Sequence, residues 1–163
     1  MSTLRAANLW PSIIIFLGLS GACSASPNRL PPLERHFYGV LKTPAEQSGF
    51  LKMNEETRKA YLVDRGYMRE WERLTPPQRE AVLRREVQVE MTQFGAHLAW
   101  GLPADSHEEG TPTTRAVIET YIRCTSGPKT DDYVRDNLEC DGTSAEIQVR
   151  IVDGRVVAIS HLD

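Results

Sequence analysis

Val87–Pro103, VQVEMTQFGAHLAWGLP, is the stretch whose reading decides the fold. Thr92 can cap a helix start, because its hydroxyl accepts a backbone N–H that has no helical partner. Met91, Phe94 and Leu98 recur at three- and four-residue spacing and line one face. Gly101 falls where the helix must stop, since glycine enters the left-handed conformation without steric cost. Pro103 prevents resumption. The stretch therefore reads as a short helix that ends in a forced turn and hands the chain to a sheet, with His97 a partly packed helix residue.

Downstream the period changes. ADSHEEGTPTT, beginning at Ala104, reads as a polar loop. Val117–Arg123, VIETYIR, alternates and is rich in β-branched residues, as a strand is. Cys124–Cys140 is hydrophilic and reads as a long loop. Glu146–Val152, EIQVRIV, is a second strand, and Arg155–Ser160 returns as the last. Asp153-Gly154 joins these two, because both central positions of a type I′ turn want positive φ. A two-residue turn places Ile151 opposite Val156, Val149 opposite Ala158 and Ile147 opposite Ser160, an apolar face that belongs on helices. The other face carries Gln148 and Arg150 opposite Ile159 and Val157. A bulge at Gly154 would shift this register.

Upstream the chain reads as helices. Thr75-Pro76-Pro77-Gln78 and Thr43-Pro44-Ala45-Glu46 have the form of capping boxes with proline in the first turn. Asn54 can cap a helix that Gly66 ends, and Trp71 and Leu74 share a side of the next. The expected fold is α+β: three antiparallel strands with one buried face need a cover, and the preceding helices are the candidates for it.

Residues 1–22 have the form of an export signal: Arg5, an apolar run from Ile13 to Leu19, then small residues. Leu19-Ser20-Gly21-Ala22-Cys23 resembles a bacterial lipobox, with Cys23 the lipidated residue. Plain cleavage near Ser24 or Ala25, or an uncleaved anchor, are the alternatives. Residues 23–33 then form a proline-containing flexible tether. Of the three cysteines, lipidation of Cys23 leaves Cys124 and Cys140 as a pair. An oxidising periplasm permits a disulfide between them, and two buried or free thiols are the alternative. The net charge of −3 argues against a nucleic-acid partner.

In this order of parts, Glu90-Met91-Thr92, Ala99-Trp100-Gly101-Leu102-Pro103, Glu119-Thr120-Tyr121 and Val152-Asp153-Gly154-Arg155 match a known pattern. It runs Gly-Met-Thr, valine, Leu-Gly-x-Pro, an aromatic-bearing strand, then a closing strand after Asp-Gly or Asn-Gly. From about Pro76 onward the chain resembles the BamE-like (SmpA/OmlA) family of small outer-membrane lipoproteins. Glu90 stands where that family has glycine, and the Cys124–Cys140 loop is an addition. Residues 34–74 read as an N-terminal helical region ahead of it. The resemblance implies a two-layer α/β domain over 75–163, with two helices packed on a three-stranded antiparallel sheet, and a structural or binding role in the Gram-negative envelope.

No residue set signals an enzyme. Asp105, His107, Glu108 and Glu109 lack the helical spacing of a zinc site. Cys124 has no helix start beside it to make it a nucleophile for His161 to activate, and Cys140 offers a simpler partner. The expectation is therefore a non-catalytic, lipid-anchored protein of the outer membrane that faces the periplasm and binds envelope proteins, without metal or cofactor. A soluble periplasmic or secreted protein is the alternative location. The expected partner surface is the outer sheet face: Gln148, Arg150, Val157 and Ile159, with Tyr121 and Glu119 if they share that side. The alternative function is a periplasmic hydrolase or small-ligand binder using a groove between helices and sheet.

Overall fold

The computed structural model describes residues 26–111 and 114–162; Cys23 and the segment expected as an export signal lie outside them. The helices are α1 (Pro32–Gly39), α2 (Pro44–Lys52), α3 (Glu55–Asp64), α4 (Tyr67–Arg73), α5 (Pro76–Leu83) and α6 (Gln93–Trp100). The strands are β1 (Asp105–Thr111), β2 (Thr114–Cys124), β3 (Tyr133–Val134), β4 (Ser144–Val152) and β5 (Arg155–Leu162).

Helix starts sit where the side chains satisfy orphan N–H groups. Thr43 and Thr75 close reciprocal capping boxes with Glu46 and Gln78. Asn54 Oδ1 accepts from the Thr57 N–H at 2.9 Å, and Thr92 Oγ1 from the Gly95 N–H at 3.0 Å. Gly66 and Gly101 take positive φ, 75° and 86°, at the ends of α3 and α6. α1 begins at Pro32, inside the segment expected as tether. Leu30 is buried ahead of it, so the described end of that segment packs onto the protein.

The sheet is antiparallel, ordered β1-β2-β4-β5, with β3 beside the end of β2. It has five strands rather than the expected three. The additional strands come from polar stretches read as loops. β1 pairs Asp105–Thr111 with Thr120–Thr114. Its backbone bonds hold it while Asp105 through Gly110 stay exposed, so it carries no hydropathic alternation to read. A charged edge also discourages pairing with another chain.

Asp153 and Gly154 both take positive φ, 50° and 72°, and Ile151 opposes Val156 as expected. A bulge then shifts the register between Arg150 and Ile151, leaving Val157 as the extra residue. Val149 therefore opposes Ile159, and Ile147 opposes His161. The bulge lies three residues beyond Gly154 and reverses which later residues of β5 face the helices.

One apolar cluster runs from Leu30, Phe37 and Phe50 through Leu74, Val82 and Met91 to Tyr121, Val149 and Val156. The N-terminal helices and the sheet thus share a core. Phe37 stacks on Tyr67 and Tyr67 on Phe94, with ring centroids 6.3 and 5.7 Å apart, joining α1, α4 and α6. Glu34 on α1 pairs with Arg58 on α3, both nearly buried, and Arg58 also donates to the Met53 carbonyl at 2.6 Å. On the far face of the sheet, Cys124 and Cys140 form a disulfide with a sequence separation of 16. It packs on Ile122, Ala104 and Val134. Among the described residues no helix is long and apolar enough to cross a membrane.

Candidate functional site

The densest polar constellation lies between α6 and β2. Gln93 and His97 are four residues apart and project from one side of α6 toward Glu119 on β2. Gln93 Nε2 donates to Glu119 Oε1 at 2.7 Å, and His97 Nε2 lies 2.8 Å from the same oxygen. The Tyr121 hydroxyl donates to Glu119 Oε2 at 2.7 Å. Glu119 is 1% exposed. Burial pushes its pKa up, but the bond and charge of His97, then the bonds from Gln93 and Tyr121, outweigh burial and hold it below the usual range. Burial first, then the Glu119 charge, raises Tyr121 far above an ordinary phenol. Both carboxylate oxygens of Glu119 and the Tyr121 hydroxyl are bonded within the set, which ties α6 to the sheet.

This placement corrects part of the expected surface. Tyr121 and Glu119 do share a side, but it is the helix side, and Tyr121 is buried. Charge suggested an outward Glu119; three donors make its burial tolerable. Ile159 is also turned inward by the bulge and packs against the main core. Gln148 and Arg150 do lie on the outer face, opposite Ser160 and Ala158. Val157, the bulge residue, is 40% exposed.

Register across β1, β2 and β4 completes that outer face. His107, Ile118 and Arg150 form one row, and Asp105, Thr120 and Gln148 another. Arg150 Nη1 reaches Glu109 Oε2 at 3.2 Å. His107 Nδ1 is 3.5 Å from Asp105 Oδ2, and its Nε2 is 3.8 Å from Glu109 Oε1. The acidic segment expected in a separate loop is therefore contiguous with Arg150. Among the described residues no cluster of His, Cys, Asp or Glu is placed to hold a metal ion.

Two hollows open elsewhere. One of about 330 Å³ lies between the chain after α5 and the sheet, against Trp100, Ile147, Ile159 and His161. A larger groove of about 710 Å³ is bounded by α1, the turn into α2, the end of α6 and the disulfide-bonded loop. In its wall His36 Nδ1 lies 2.8 Å from the Leu98 carbonyl oxygen. Burial lowers the His36 pKa, its bond to Leu98 opposes this, and Arg85 and Arg35 lower it further. The groove's lining comes from elements spread over more than 100 residues. Sequence periodicity held no signal for it; for the Glu119 network the available signal was the i, i+4 pair of Gln93 and His97 on an otherwise apolar helix, which points to a polar partner without identifying it.

No family model matches the chain, nor does any curated protein or solved structure.

Proposed function

We propose that the protein is a non-catalytic, lipid-anchored envelope module of the BamE-like kind, binding other envelope proteins at the outer membrane through the open face of its sheet. The observation that carries this reading is the division between the two faces. Helices cover much of one side, where Glu119 and Tyr121 are bonded to each other and to α6, while the other carries half-buried Gln148 and exposed Arg150, His107 and Glu109. Exposed polar groups backed by a rigid sheet suit recognition, with the central contacts carrying most of the binding energy.

Local backbone geometry supports the family reading. Glu90, where the BamE-like pattern has glycine, takes φ 69°, a conformation glycine adopts at no steric cost. Thr92 caps α6, Gly101 ends it, and Asp153-Gly154 forms the closing turn.

Complementation tests the reading. Arg150→Glu combined with Val157→Asp abolishes function while the protein stays folded; Glu80→Lys, on the exposed side of α5, leaves it intact. Alanines at His107 and Glu109 do not serve as neutral controls, because both side chains lie beside Arg150. Full function in the folded double variant contradicts the proposal and favours a small-ligand role for the larger groove.

A further inference from the structure

The larger groove is strongly basic in a protein whose net charge is −3. Arg35 on α1, Lys42 before α2, Arg85 after α5 and Arg135 in the disulfide-bonded loop all border it, against one carboxylate, Asp132. Asp132 is bound to Arg85 at 3.0 Å. The side chains of Arg35, Lys42 and Arg135 make no ion pair among the described residues. An apolar wall of Leu83, Leu102 and Tyr133 lies beside these cations, with Tyr133 stacked on the buried Trp100 at a centroid distance of 4.8 Å. Burial is the chief cause of the lowered His36 pKa in this wall, and the charges of Arg85 and Arg35 add to it.

We propose that this groove docks an acidic segment of a partner protein, with carboxylates taken by Arg35, Lys42 and Arg135 and an apolar side chain lying against Leu83, Leu102 and Tyr133. Four observations select that occupant. The cations come from four separate elements around an open trough, an arrangement that serves successive carboxylates along a chain. The apolar wall beside them calls for a side chain that a simple anion lacks. A volume of about 710 Å³ accepts a short peptide stretch. Finally, residues 1–25 contain Arg5 and no acidic side chain, so the chain's own leader lacks the complementary charge.

The site rests on the reading of this protein as a binding module but is separate from the sheet face. Because the groove cations are exposed, binding is electrostatically steered and sensitive to salt.

Fluorescence polarisation tests the proposal with the full chain, its disulfide intact. The probe is a fluorescein-labelled peptide Glu-Asp-Glu-Leu-Asp-Glu-Glu, compared with its Gln/Asn counterpart. The acidic peptide binds and weakens about tenfold or more between about 50 and about 500 mM NaCl, while the amide peptide fails to bind. Arg35→Glu with Arg135→Glu, confirmed folded by circular dichroism, weakens binding about tenfold or more, whereas Lys52→Glu, outside the groove, stays within about twofold. Absence of binding, equal binding of the amide peptide, or undiminished affinity in the double variant overturns the proposal. Displacement of the peptide by millimolar inorganic phosphate, or by phosphatidylglycerol vesicles, likewise overturns it, in favour of a small-anion or a membrane site respectively. Crosslinking from Gln148 reports on the sheet face alone, so failure here and failure of the module reading are distinguishable.

Discussion

Replacing Glu119 isolates the polar centre of the core. Its carboxylate takes hydrogen bonds from Gln93, His97 and Tyr121 at 2.7–2.8 Å. The Tyr121 hydroxyl is the most vulnerable of these partners, because Tyr121 is 1% exposed and has no access to water. Gln93 and His97 are partly exposed and rehydrate when the carboxylate is lost. Glu119→Ala is expected to cost about 3–5 kcal/mol, as for breaking other buried charged networks. Glu119→Gln preserves the shape but turns an amide donor toward existing donors, and costs about 1–3 kcal/mol.

The same site sets an acid dependence. The folded pKa of Glu119 lies below its unfolded value of 4.5, so its contribution is complete above that value. The contribution is lost as pH falls through the folded pKa. His36, also depressed from 6.5, adds an earlier loss that begins as pH drops through that unfolded value and is common to wild type and variant. Urea unfolding followed by far-ultraviolet circular dichroism, in steps from pH 7 to about pH 3, measures both effects. The Glu119→Gln curve starts lower at neutral pH and approaches wild type in acid. A variant within about 0.5 kcal/mol of wild type at pH 7, or parallel losses in acid, refutes the assignment of this network.

Three further outcomes follow from other parts of the molecule. Reducing Cys124–Cys140, or replacing both with serine, costs about 3 kcal/mol in the chain-entropy description, read as a lower urea midpoint. Without reductant, mass spectrometry finds neither thiol alkylated. Glu90→Gly relieves a left-handed backbone while its structural hydrogen bonds come from main-chain atoms, so it stabilises by about 0.5–1 kcal/mol in thermal unfolding. Cys23→Ser shifts the protein from the membrane fraction to the soluble periplasmic fraction; unchanged fractionation together with an unlipidated wild-type N-terminus contradicts anchoring.

The local signals in the sequence carried far. Thr43, Asn54, Thr75 and Thr92 each cap the helix that their neighbours called for, and Asp153-Gly154 turns the last hairpin. Each of these depends on a few adjacent residues and on backbone donors that must be satisfied. What escaped depends on distant partners. β1 is stabilised by ladder bonds to β2 and leaves its side chains wet, so its residues resemble a loop. The orientation of β2 was ambiguous because both its faces are buried, Val117 and Tyr121 against the main core and Ile122 and Cys124 against the disulfide cluster. Ile159 faces inward through a bulge that alternation cannot reveal. Gln93 and His97 were legible as helix residues, but Glu119 as their acceptor required the fold.

Site-specific photocrosslinking from position 148 in the native envelope asks whether the open sheet face meets another protein. A benzoylphenylalanine replaces Gln148 on the open sheet face, and a second protein carries it at Asp64, on the exposed end of α3, as reference. A protein-binding sheet face gives a discrete protein adduct from position 148 that is absent from position 64 and lost when Arg150→Glu is added. Equal labelling from both positions, or no protein adduct from position 148 in the functional variant, contradicts it.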